Sequence, residues 1–121
     1  MTPQELTSRI RNGVRIEGED FGGMALDGLD LAGGLFSECR FARASLAASQ
    51  LNESVFERCD FEGATLASAR LDGASFLRCS LRGIDATASH WPRTIVTHCG
   101  LREARCPDAQ LTEAVLHDCE L

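Results

Sequence analysis

No stretch of this 121-residue sequence approaches the ~18 consecutive apolar residues that a membrane-spanning helix needs. The N-terminus also lacks the charged-then-apolar pattern of a secretory signal. With nothing pointing to export, the six cysteines are expected to be reduced, in a cytoplasmic protein. Positive charge is in short supply. Twelve Lys and Arg face 18 Asp and Glu, a net charge of -6, which argues against direct nucleic acid binding. The C-x-x-C spacing of zinc sites is absent, and no glycine-rich phosphate loop joins a strand to a helix. No nucleophile, base and orienting group form a set, so catalysis, a cofactor and a metal are not expected. No linker or low-complexity tract divides the chain, which reads as one domain.

What the sequence does have is a period of five. From Phe36 to Leu81 a large apolar residue returns at every fifth position, through Phe41, Leu46, Leu51, Phe56, Phe61, Leu66, Leu71 and Phe76. Two residues before each stands a small one, such as Cys39, Ala44, Ser49, Cys59 and Cys79. A period of five suits neither a helix nor a flat strand, but it suits a chain that makes a short strand, turns a corner and repeats. The frame extends from Ile16 to Leu121, with undersized Ala86 and Cys106 still apolar. Ile84, directly before Ala86, reads as a local exchange of volume. Seven of the 11 glycines, among them Gly33, Gly63 and Gly73, fall two residues after a central residue, where a type II turn requires positive φ.

The cysteines set the number of repeats in a coil. Cys39, Cys59, Cys79, Cys99 and Cys119 are spaced by 20, so four repeats closing one square turn put five sulfurs in a single inward column. Phe36, Phe56 and Phe76 then form a second column, and Phe41 and Phe61 a third. These ten residues are the expected structural core, and Cys106 is expected to be equally buried. A line of sulfurs ~4.8 Å apart is not a tetrahedral cage, so the cysteines read as packing.

Residues 1–13 differ from the rest. Thr2, Pro3 and Glu5 fit an N-cap, a first-turn proline and a capping-box acid. Leu6 and Ile10 share one helical face, and Gly13 suits the stop. Together these predict a helix over 3–12 that covers the first open edge of the repeats.

The pattern seen in Ala64-Thr65-Leu66-Ala67-Ser68 and Ala69-Arg70-Leu71-Asp72-Gly73 resembles the pentapeptide-repeat family, over residues 14–121. The resemblance implies an all-β, right-handed quadrilateral β-helix of about five coils, here with the short N-terminal helical cap of residues 1–13. It also implies a non-catalytic scaffold for protein–protein interaction, as an adaptor in a larger or secretion-associated assembly. A second implied reading is a DNA mimic that binds DNA gyrase or another type II topoisomerase, as quinolone-resistance members do. A mimic needs acidic columns, yet the column Asp20, Arg40, Asp60 alternates in sign and Glu38, Arg58, Arg78, His98, Asp118 is basic at its centre. Five to six coils give a rod of only ~26 Å at ~4.8 Å per coil. A third reading is a metal- or redox-responsive protein using cysteine and histidine.

Outward positions carry the binding candidates. Leu35, Val55, Ile95 and Val115, with Ser75 between them, make an aliphatic stripe at a spacing of 20, and Leu77 adds to it. A neighbouring face with Ala47, Ala67 and Ala88 is flat and nearly uncharged. The frame stops on a central residue, Leu121, so an open last coil is expected to be covered by a protein partner of unknown identity or by a second copy in a homodimer.

Overall fold

The computed structural model describes residues 1–121. Helix α1 (Pro3–Arg11) is followed by six short strands: β1 (Ile16–Glu17), β2 (Leu35–Ser37), β3 (Val55–Glu57), β4 (Ser75–Leu77), β5 (Ile95–Thr97) and β6 (Val115–His117). All pair in parallel and in sequence order, with Ile16 opposite Phe36, Phe36 opposite Phe56 and Phe56 opposite Phe76. The register is 20 residues at every step. Isolated bridges at the same interval, such as Asp20 to Arg40, Ser45 to Thr65 and Gln50 to Arg70, mark the other three sides. The chain is thus a quadrilateral β-helix of about five turns, right-handed as crossovers between parallel strands are.

The period of five works because each side is a pleated step between two corners. The residue two positions after every central residue, from Gly18 to Asp118, has positive φ. Seven of these are glycine, but 14 are not, among them Arg43 (58°), Glu53 (58°) and Asp118 (52°). An L-residue there costs roughly 1–2 kcal/mol. The coil geometry imposes the corner, and glycine is only the residue that meets it without strain.

Central residues point inward. Rings in register stack along the axis, with centroids 5.0 Å apart for Phe36 and Phe56, 4.9 Å for Phe56 and Phe76, and 4.8 Å for Phe41 and Phe61. The two columns meet edge to face, as in Phe56 against Phe61 at 83°. Trp91 continues the aromatic stack beyond Phe76 at 5.6 Å. Ile84 and Ala86 are both fully buried.

At the N-terminal end, Thr2 caps α1 with a capping box to Glu5, and the helix places Leu6 in the core cluster beside Ile16 and Phe21. At the other end the core thins. Cys106, expected inside, is exposed, and Cys119 is only half-buried. Leu111 and Leu116 are each 48% exposed. Their side chains have a packed coil on one side only, so inward pointing does not bury them.

Ser54 and Ala74 carry a Cβ at the same step before Phe56 and Phe76, whereas Gly34 is tightly packed because of where the Phe36 ring stands. A Cβ there would stand 2.6 Å from the Phe36 ring and 3.1 Å from the Leu31 carbonyl oxygen. Gly33, with φ of 75°, has nothing within 4 Å. Gly34→Ala is therefore expected to cost about 1–3 kcal/mol through overpacking. Gly33→Ala is expected to cost about 1 kcal/mol through backbone strain alone. Urea unfolding of the two variants checks this, and a Gly34→Ala chain as stable as the parent would refute the packing account.

Candidate interaction surface

Strands β1–β6 form the one face built of continuous strands. Within a three-residue strand the middle side chain points inward and both neighbours point outward, so the outer surface carries two parallel columns. Strand register sets Leu35 against Val55, Val55 against Ser75, Ser75 against Ile95, and Ile95 against Val115. The aliphatic stripe is therefore a single column of two adjacent pairs, Leu35 with Val55 and Ile95 with Val115, separated by Ser75. Its members are 38% exposed at Leu35 and Val55, 47% at Ile95 and 51% at Val115. Leu77, half-buried, lies in the second column between Glu57 and Thr97. Leu121, 88% exposed, stands apart from the stripe in the last coil.

The charges around this face are interspersed. Asp20, Arg40, Asp60, Ser80, Gly100 and Glu120 run up one column by successive bridges. Ion pairs across the surface, such as Arg82 to Glu103 at 3.3 Å and Arg102 to Glu120 at 3.7 Å, join exposed groups and contribute little to stability. His98 and His117 approach with ring centroids 6.2 Å apart, and both face the Asp118 carboxylate, at 3.8 and 3.2 Å. His90 lies on another side of the square, in register with Arg70 and Gln110. No group of three or more His, Cys, Asp or Glu is arranged to hold a metal ion.

The cysteine column occupies a special corner. At the other corners the small residue's N–H closes the turn onto the central carbonyl, as Ala44 does to Phe41 and Ala64 to Phe61, both at 2.9 Å. After β2–β6 that bond is missing, and the small residue is always cysteine. Its Sγ lies against two other backbone carbonyls: Cys79 reaches Leu77 at 3.4 Å and Phe56 at 3.3 Å, and Cys99 reaches Thr97 at 3.3 Å and Phe76 at 3.5 Å. The sequence places these cysteines in a column but gives no sign of the open turn, which depends on three strand residues occurring on this side only. The neighbouring Cys59 thiol, and then burial, push the Cys39 and Cys79 thiols up.

The five-residue frame, the square cross-section and the inward column define a β-solenoid of pentapeptide repeats. A family model described as "Pentapeptide repeat region" matches residues 29–97, more than half of the sequence, and the chain belongs to that family. No curated protein matches the sequence significantly. Among solved structures it is similar to QnrB1, a plasmid-mediated fluoroquinolone resistance protein (20% identity, TM-score 0.69, 88% of this chain and 53% of that one). It is also similar to the pentapeptide repeat protein Rfr23 from the cyanobacterium Cyanothece 51142 (16% identity, TM-score 0.67, 95% and 99%). A third is a pentapeptide repeat protein of the Arabidopsis thaliana thylakoid lumen (21% identity, TM-score 0.54, 74% and 59%). The chain spans about half the length of QnrB1 and nearly the whole of Rfr23. At these identities the likeness is one of fold. No helix is long and apolar enough to cross a membrane.

Exposure sets the expected order of thiol reactivity. Cys106 and then Cys119 should be labelled by an aromatic disulfide reagent in the native state, with Cys39, Cys59, Cys79 and Cys99 labelled only on unfolding. Burial and then the Asp85 carboxylate push the Cys106 thiol up, so its labelling should accelerate as pH rises from neutral. Fast labelling of all six in the folded chain would overturn the buried column.

Proposed function

We propose that this chain is a non-catalytic scaffold that binds a protein partner along the outer face of β1–β6. The observation that carries the reading is the aliphatic stripe Leu35, Val55, Ile95 and Val115, held in strand register and 38–51% exposed on the side of the square built of strands. An exposed apolar column on a sheet is the kind of surface that monomeric proteins keep small unless it is used. Leu77 widens the strip at its middle. The last coil, with exposed Leu111, Leu116 and Leu121, supplies a second apolar surface where a second copy or a partner can dock.

The likeness to QnrB1 raises the topoisomerase reading, in which the rod imitates duplex DNA. The alternating column Asp20, Arg40, Asp60 and the basic pair Arg58 and Arg78 weigh against it, because a mimic depends on sustained negative potential.

Ile95→Asp combined with Val115→Asp should abolish capture of the partner in a pull-down from the source cell, leaving circular dichroism and the unfolding midpoint nearly unchanged. Undiminished capture by that variant would remove the stripe from the reading and leave the last coil. In a gyrase supercoiling assay the chain should not inhibit. Strong inhibition that disappears on reversing Asp20 and Asp60 to Arg would replace the scaffold reading with the mimic.

A further inference from the structure

Five sulfurs stand in line inside one wall, and docking on the outer face makes no use of them. We propose that the column Cys39, Cys59, Cys79, Cys99, Cys119 is a binding site for soft d10 metal ions, typified by Hg2+, each held in line between the sulfurs of two successive coils.

Spacing is the first support. Phenylalanine rings related by the same 20-residue step stack 4.8–5.0 Å apart. Two bonds of the ~2.3 Å length that thiolate makes to a d10 ion span ~4.6 Å when laid end to end. A line of sulfurs offers an ion two ligands on opposite sides and no third. That arrangement fails zinc, which needs four ligands. It suits soft ions, which thiolates select and which accept two sulfurs in a line.

Composition is the second. Cysteine fills the small position of this corner in every coil from Cys39 onward and fills no other small position in the chain. The hydrogen bond it makes does not require sulfur. Ser54 bonds the carbonyl of Leu31, 23 residues back, at 2.9 Å, and Thr94 bonds that of Leu71 at 2.7 Å, as Cys39 bonds Ile16.

The surroundings fit an ion better than a bare thiolate. Carbonyls of Ile16, Phe56, Phe76 and Val96 stand 3.3–3.5 Å from the column sulfurs, where they accept S–H and would repel an unpaired negative sulfur. An ion shared by two thiolates draws off that negative charge and so lessens the repulsion. Carbonyls of Ser37, Leu77 and Thr97 keep the N–H groups of Gly18, Arg58 and Arg78, so losing the thiol protons does not orphan them. The Cys79 N–H donates to the Cys99 sulfur at 3.4 Å, a bond that strengthens when that sulfur is a ligand. One Hg2+ and two thiols give a neutral dithiolate and release two protons to solvent, so no net charge is buried. Cys119, half-buried, is the most accessible member.

The test uses the full chain carrying Cys106→Ser, which removes the exposed thiol outside the column. Titration with HgCl2, followed by native mass spectrometry and sulfur-to-mercury charge-transfer absorption, should saturate at two ions per folded chain, since five sulfurs in line make two separate pairs. X-ray absorption should give two sulfurs per ion. Adding Cys59→Ser with Cys99→Ser separates every remaining sulfur by two coils and should remove both two-sulfur sites. Adding Cys39→Ser with Cys79→Ser leaves only Cys99 and Cys119 adjacent and should leave one. If one of these variants does not fold by circular dichroism, the other decides. One ion per thiol with a single sulfur neighbour, uptake only in denaturant, or unchanged uptake in the serine variants would each overturn the proposal.

Discussion

Each coil is held by its neighbours through the backbone, and everything else in the molecule is subordinate to that ladder. The N–H of Phe41 meets the carbonyl of Asp60, that of Leu46 meets Thr65 and that of Leu51 meets Arg70, at 2.6–2.8 Å, and the pattern repeats on every side. A parallel ladder in strict register admits no drift, because one extra residue in a side would turn its inward residue to solvent and rotate the next coil. The 20-residue step is therefore fixed along the chain. Side chains separated by it become neighbours whatever they are.

That constraint explains the tolerance of strain at the corners. Fourteen non-glycine residues hold positive φ, and no local preference would put arginine or glutamate there. Backbone bonds to the coils above and below over-determine the corner, and residues in sparsely populated regions persist where the surroundings fix them. The same ladder makes the wall closely packed, so a Cβ at Gly34 would require the Phe36 ring to shift. It also makes one corner different. On the side with three strand residues the turn stays open, and the cysteine thiol lies against the carbonyl two residues back.

Inside and outside consequently obey separate physical constraints. Inward positions are apolar or, as at Ser49, Ser54, Ser89 and Thr94, small hydroxyls that donate to backbone carbonyls. Outward positions are released from packing, so they are where binding specificity can be written. On this chain they carry mixed charge on most columns and one aliphatic line, which is why the outer face of β1–β6 is the surface to which a role is assigned.

The solenoid was legible before any coordinates, because the register of 20 is printed in the cysteines and phenylalanines, and the helix was legible in Thr2, Pro3 and Glu5. The stripe could also be read, since a fixed period converts positions into columns. Three things could not. Cys106 has the right position but is exposed, because burial depends on a packed coil on both sides and not on direction alone. Arg43 and Glu53 sit at positive φ that their own chemistry disfavours, because hydrogen bonds from distant residues impose it. The open turn at the cysteine corner arises from the unequal sides of the square. Sequence period alone determined which residues stack, since a constant step needs only counting. Tertiary structure decided which of them are buried, strained or able to reach a partner, since those depend on what lies above and below.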